Sequence, residues 1–396
     1  MSAAVVGAQR AMRGSYRGAS LLPCGPVTGF PFDAVLFDLD GTLVATDRFW
    51  PDVARAATLR VFRERGISRD IPGAPEWMAM VGHPLAQAFE ATFDDLDQDS
   101  REALLVACAE AGHAQLDRHG ATLLAGVTET LAELASRGVR LGIASNCAPE
   151  YLELMLARAG LGRWIEEGRC LASPGVRDKA DMIEDLLLTF GTRSAVMVGD
   201  RAGDRDAAWA NGLPHVHIPR GYGGGDDGVE AEAVLAGMEQ LVPACMGRAT
   251  ALEACIQRLG VGPLSGGERI VVTGLPLAGS SQFAADLAGC LGAANVPAEV
   301  VSGFGTRAGA EAVQVLDAPL ERAAALAPGA DGLIALTADT EVLERRARGQ
   351  RAGLEPLERL MEALPPARAQ LEALHSPGEP RWIRVDASNA VAPRVT

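Results

Sequence analysis

The chain has 396 residues, 48% of them hydrophobic and 22% charged, and a formal net charge of -15. That length suits two or three domains, and the composition can bury a sizeable core. The acidic balance argues against a nucleic-acid or anionic-membrane surface, and no apolar run approaches the roughly 20 residues that span a bilayer. A small anionic substrate would then need a local cluster of positive groups or a metal. Seven cysteines without a CxxC pair and six histidines without an HExxH pattern do not suggest zinc. Reduced thiols in a cytosol-like, cytoplasmic compartment are the expectation.

Residues 1–32 contain no acidic residue, carry Arg10, Arg13 and Arg17, and show no period. They are expected to form a disordered or loosely docked leader, with an organellar transit peptide as the alternative. Ala34, Val35 and Leu36 then read as a buried strand running into FDLDGTL at 37–43. Because side chains alternate along an extended chain, Asp38 and Asp40 face one side, at the strand end where an open α/β sheet presents its ligands. Two acids in one space suit a hard cation such as Mg²⁺ and a division of labour between nucleophile and proton donor.

From about 45 to 121 the pattern is helical, with apolar residues at three- and four-residue spacing in 51–65, 84–93 and 100–119. A strand at 139–144 ends in Ser145 and Asn146. The 107 positions from Asp38 to Ser145 far exceed one crossover, whereas 34 separate Ser145 from Lys179, so any helical cap is inserted after the first strand. A helix follows at 150–159, a connecting segment runs to Gly175, and Lys179 opens another helix. Next come a buried strand at 194–198, GDRAGD at 199–204, a strand at 215–218, and a glycine-rich loop at 221–228 with Asp226 and Asp227. His215 and His217 are read as structural. Lys179 is the single lysine of the chain, and every other basic residue is arginine. A lysine kept against that bias marks a position that needs a compact ammonium group.

Asp38 is the natural nucleophile and Asp40 the natural acid and base, while Ser145 and Lys179 can hold a phosphoryl group. Asp200 and Asp204, one helical turn apart, complete an oxygen-rich cation site with Asp38. In order, FDLDGTL, the ASN of 144–146, Lys179 and GDRAGD resemble motifs I to IV of the haloacid dehalogenase (HAD) superfamily. The resemblance covers about 33–245 and looks most like the phosphoglycolate-phosphatase-like branch. It implies a Rossmann-like core with an inserted helical cap at about 45–121, and a phosphatase acting on a small phosphorylated metabolite. By the same resemblance, Asp38 would form an aspartyl-phosphate and Asp40 would protonate the leaving oxygen and then activate water. Mg²⁺ would be held by Asp38, the Asp40 carbonyl and Asp200 with support from Asp204, while Ser145, Asn146 and Lys179 would bind phosphate. Val81 to Leu85, with His83, resembles the family's substrate-contacting loop. The Asp178-Lys179-Ala180 string departs from the commoner Lys-Pro and bears on substrate subclass, and Asp40 argues against the dehalogenase and phosphonate-cleaving branches. A phosphotransferase or mutase and a non-catalytic ligand-sensing protein are the alternatives.

Helical sequence runs to about Arg258 into a linker region at 246–265, and a second and smaller α/β domain is expected over 266–396, from strands at 269–273, 298–301, 313–316, 333–336 and 382–385 alternating with helical stretches. Gly274 to Ser281 reads GLPLAGSS between a strand and a helix, the context of a phosphate-binding GxxxxGK[ST] loop. Gly274, Gly279 and Ser281 fit that pattern, and Ser280 stands where its lysine belongs. Asp317 looks like the second-strand acid of such domains, and Arg345, Arg346, Arg348 and Arg351 look like a nucleotide-kinase lid. The segment resembles uridine-kinase-like P-loop kinases in degenerate form, with room for a nucleotide or anion but without the charge that reaches the outer phosphates.

Overall fold

The computed structural model describes residues 30–220, 222, 228–260, 268–275, 278–293, 298–302, 312–318, 320–326, 330–348, 355–374 and 382–395. The chain divides into two compact units, Asp33–Val242 on one side and Met1–Phe32 with Pro243–Thr396 on the other. Most of the leader, nearly all of the glycine-rich loop with Asp226 and Asp227, Pro276, Leu277 and Arg351 lie outside the described residues. Phe30 and Phe32, at the end of the leader, are buried.

The first unit begins with β1 (Ala34–Phe37). Four helices follow: α1 (Trp50–Arg65), α2 (Ala74–Met80), α3 (Leu85–Thr92) and α4 (Gln98–His119). The chain then alternates through α5 (Val127–Ser136), β2 (Arg140–Ala144), α6 (Pro149–Arg158) and β3 (Glu167–Arg169). It closes with α7 (Lys179–Phe190), β4 (Ala195–Gly199), α8 (Ala202–Ala210), β5 (His215–His217) and β6 (Ala233–Val234). The six strands form one parallel sheet in the order β3-β2-β1-β4-β5-β6. β1 and β4 are apolar and fully buried, as strands covered on both faces must be. From β1 the order runs to β2 on one side and β4 on the other, which makes the carboxyl end of β1 a topological switch point. Phe37 pairs with both Ile143 and Val198, so Asp38, Ser145 and Asp200 emerge at one edge of the sheet.

The inserted helices have a core of their own. Trp77 is fully buried, meets Trp50 edge-on at 6.3 Å, and lies 5.9 and 6.0 Å from Phe89 and Phe93. α2 is too short at 7 residues to carry a readable period, and β3 and β6 are shorter still, so none of them was expected from the pattern.

The second unit contains α9 (Leu241–Leu259), β7 (Arg269–Gly274), α10 (Ser280–Ala293), β8 (Ala298–Ser302) and β9 (Val313–Asp317). It continues with α11 (Leu320–Leu326), β10 (Gly332–Thr337), α12 (Thr340–Arg348), α13 (Glu355–Ala373), β11 (Trp382–Asp386) and β12 (Arg394–Val395). Its sheet runs β12-β11-β10-β7-β9-β8, parallel except for the β11–β12 edge. α9 runs to Leu259, through the first part of the region at 246–265. Leu252, Cys255 and Leu259 recur at helical spacing and are buried in this unit's core, which keeps the segment helical. Cys108, Cys147, Cys170, Cys245, Cys255 and Cys290 are free thiols. No helix among the described residues is long and apolar enough to cross a membrane.

His215 is fully buried and neither ring nitrogen has a hydrogen-bond partner. Burial disfavours the imidazolium and pulls its pKa down to about 3 from an ordinary 6.5. Between those values the unfolded chain binds a proton that the folded chain refuses, so stability is present above about pH 6.5 and falls as the pH drops toward 3. Urea midpoints should therefore decline from pH 6.5 to 4.5, and His215→Leu should flatten the decline. An unchanged slope in the variant would contradict this.

Candidate active site

Asp38 leaves β1 with its amide donating to Val198 O at 2.9 Å, which fixes it against β4. Lys179 is the first residue of α7, behind the Asp178 cap whose side chain accepts the Asp181 amide. That cap aims the ammonium into the sheet edge, where Nζ donates to Asp38 Oδ1 at 2.7 Å and to Asp204 Oδ1 at 2.6 Å. Lys179 is 7% exposed and both aspartates are essentially buried. Asp204 takes the Arg201 amide on its other oxygen at 2.9 Å, closing the first turn of α8.

Asp200 follows β4, and its Oδ1 accepts from Thr42 Oγ1 at 3.2 Å. Asp38, Asp200 and Asp204 each offer an oxygen within 4.8 Å of the others. Asp38 Oδ2 and Asp200 Oδ2 are buried without a hydrogen-bond partner. Orphaned carboxylate oxygens among buried acids are what a hard cation satisfies, so the set fits Mg²⁺. Asp38 and Asp200 have lone pairs to give it, whereas both oxygens of Asp204 are engaged, which fits Asp204 to orienting Lys179. The close approach at this point requires glycine: Gly41 has φ +84°, and a Cβ there would sit 2.4 Å from Asp200 Oδ2.

Burial, opposed by Lys179 and reinforced by Asp204, brings the Asp38 carboxyl up to about 7. Asp200 is held well above the carboxylate range by burial and by the Asp38 and Asp204 charges. Burial opposes the charge on Lys179, but Asp204 and Asp38 outweigh it and the ammonium is held above its ordinary value. Asp40 is also raised by burial, partly offset by hydrogen bonds from Thr46 and Tyr151.

Asp40 is half-buried beside this cluster. Its Oδ1 accepts from Thr46 Oγ1 at 2.6 Å and from Tyr151 Oη at 2.7 Å. Neither hydroxyl was expected from the sequence, although Tyr151 is one of only three tyrosines and lies in the first turn of the helix after Ser145-Asn146. Ser145 is buried at the same edge, and its amide donates to Arg169 O at 3.1 Å. Asn146 turns toward the cap, with Nδ2 donating to Gly82 O at 2.9 Å. Arg201 likewise reaches the cap, with Nη2 donating to Met78 O at 2.9 Å, a contact that sequence reasoning did not identify. His83, in the Val81–Leu85 loop, is exposed.

In the second unit, Gly274 ends β7 and Asp317 ends the neighbouring β9, where Val272 is paired with Asp317. Gly279 has φ +83°, and Ser280 and Ser281 open α10.

Saturating Mg²⁺ should raise the thermal midpoint of the wild-type chain by several degrees, at about 2–4 °C per kcal/mol of linked binding. Asp200→Asn should lose most of that shift. Equal shifts in the two proteins would remove Asp200 from the cation site.

The haloacid dehalogenase-like hydrolase family matches residues 32–212. The tyrosine-protein kinase PtkA of Mycobacterium tuberculosis is 29% identical over 195 residues, 48% of this chain, and the match spans 64% of the mycobacterial protein, less than two thirds of its length. A phosphoglycolate phosphatase of Pectobacterium atrosepticum is 28% identical over 205 residues, covering 48% of this chain and 81% of the enzyme. The solved structure of a haloacid dehalogenase-like family protein from Streptococcus pneumoniae has 24% identity and a TM-score of 0.46, covering 54% of this chain and 98% of that one. Residues 32–212 thus match the haloacid dehalogenase-like hydrolase family, and phosphoglycolate phosphatases are among the proteins they resemble.

Proposed function

We propose that this chain is a Mg²⁺-dependent phosphatase that hydrolyses a small phosphomonoester through a phosphorylated Asp38. The observation that carries the reading is the buried Lys179 ammonium, bonded at once to Asp38 and Asp204 beside two unpartnered carboxylate oxygens. Lys179 lowers the repulsion between the Asp38 carboxylate and an incoming phosphoryl group. Asp38 attacks phosphorus while Asp40 delivers a proton to the departing ester oxygen, freeing the alcohol. Asp40 then takes a proton from water, the water oxygen bonds to phosphorus, and the Asp38–phosphate bond breaks to release phosphate. Asp38 and Asp200, with the Asp40 carbonyl, would hold a Mg²⁺ ion, which would supply positive charge to the phosphoryl oxygens. Ser145, Asn146 and Lys179 bind the phosphoryl group, and the cap excludes water during transfer.

A second reading, phosphoryl transfer from Asp38 to a hydroxyl acceptor other than water, is favoured by the likeness to a tyrosine-protein kinase. Free phosphate separates the two, since a transferase passes the group on. With Mg²⁺ and a panel of phosphomonoesters, the wild-type chain should release phosphate and Asp38→Asn should lose at least about a thousandfold of the rate. Full release by Asp38→Asn would end the mechanism.

The second unit, over about 266–396, is read as a kinase-like domain that does not turn over ATP. Its sequence carries Gly274, Gly279, Ser280 and Ser281 in the order of a phosphate-binding loop, with Asp317 ending the strand that pairs with β7, but no lysine for the outer phosphates. Titrating Mg-ATP into the full-length Asp38→Asn chain should give no saturable binding below the millimolar range. Micromolar binding would overturn this reading.

A further inference from the structure

We propose that Tyr151 is a positioning residue for the proton transfer, fixing the rotation of the Asp40 carboxyl so that Oδ2 is the oxygen presented to the leaving group. The assignment rests on the reading of Asp40 as the proton carrier. Tyr151 stands in the first turn of α6, immediately beyond the Ser145-Asn146 edge of the sheet, and donates to Asp40 Oδ1 at 2.7 Å. Thr46, in the short 3-10 turn at 46–48 where the chain leaves for the cap, donates to the same oxygen at 2.6 Å. The two hydroxyls come from segments more than a hundred residues apart and converge on one atom.

A carboxyl group on a strand end can rotate about its Cβ–Cγ bond and exchange its oxygens, and general acid catalysis requires one oxygen to stay aimed at the reacting atom. Two donors fill both lone pairs of Oδ1, which leaves Oδ2 as the oxygen for proton traffic. The Tyr151 side chain is itself held in place. Its ring lies 6.2 Å from that of His113 on α4, between the core helix and the cap. Thr46 alone leaves the carboxyl pinned from one side, by a residue on the segment that must flex if the cap moves. Tyr151 supplies the hold from the core.

The test compares Tyr151→Phe with wild type, in Mg²⁺, on two esters: the best alkyl phosphomonoester from a substrate panel, and p-nitrophenyl phosphate, whose leaving group departs with little protonation. The quantity is kcat/KM, which covers the steps up to the first phosphoryl transfer. Tyr151→Phe should lose about tenfold on the alkyl ester and less than about threefold on the nitrophenyl ester, with an unchanged thermal midpoint. Equal losses on both esters, or no loss on the alkyl ester, would overturn the assignment. Asp40→Asn serves as the reference: if that variant shows no leaving-group-selective loss, the proton-carrier reading fails and takes the assignment with it. A selective loss in Asp40→Asn without one in Tyr151→Phe sinks the Tyr151 assignment alone.

Discussion

Three carboxylates and one ammonium share the buried end of β1, and the ammonium is what makes that burial tolerable. Lys179 touches Asp38 at 2.7 Å and Asp204 at 2.6 Å in a space nearly closed to water. Like charges at such range repel strongly in a low-dielectric interior, and stripping one partner from a buried pair costs about 3–5 kcal/mol. An arginine would not substitute, because its planar fork spreads the charge that two separate carboxylates here draw onto one nitrogen. The chain uses arginine at every other basic position and keeps lysine at this one. Asp38 Oδ2 and Asp200 Oδ2 have no hydrogen-bond partner, the chemistry that a divalent cation would satisfy.

The sheet order determines where this can be built. Strands β2 and β4 flank β1, and their registers bring Asp38, Ser145 and Asp200 to one edge from positions scattered over 160 residues. The long insertion between β1 and β2 buries its own aromatic core around Trp77, so it can cover that edge as a cap without borrowing apolar surface from the sheet. Two polar side chains tie the cap to the core, Asn146 through Gly82 O and Arg201 through Met78 O. Both leave the sheet beside catalytic candidates, Asn146 next to Ser145 and Arg201 next to Asp200.

The parts of this arrangement that were legible in the sequence are those encoded locally. Asp38 and Asp40 could be placed on one side of a strand end from alternation, Lys179 stood out as a lone lysine, and the 107-residue gap located the cap. Thr46 and Tyr151 were not legible as partners of Asp40, because a hydroxyl carries no periodic signature and their meeting depends on the tertiary fold. The bond from Asn146 to Gly82 O in the cap was not legible, because spacing along the chain does not encode it. The helical pattern to about Arg258 was readable, and Leu252, Cys255 and Leu259 give that helix its buried face. In the second unit the strand pattern was readable, whereas α13 carries Pro365 and Pro366 inside it, a signal that ordinarily argues for a break.

If Asp38 is the nucleophile that Lys179 and the sheet edge prepare, the phosphoryl group must pass through it. Acid-quenching the Mg²⁺-loaded chain during turnover of a radiolabelled phosphomonoester, then mapping the label by mass spectrometry, examines that step. The label should be base-labile, lie on the peptide that contains Asp38, and be absent from Asp38→Asn. Steady turnover with no protein-bound label, or with the label on another residue, would contradict it.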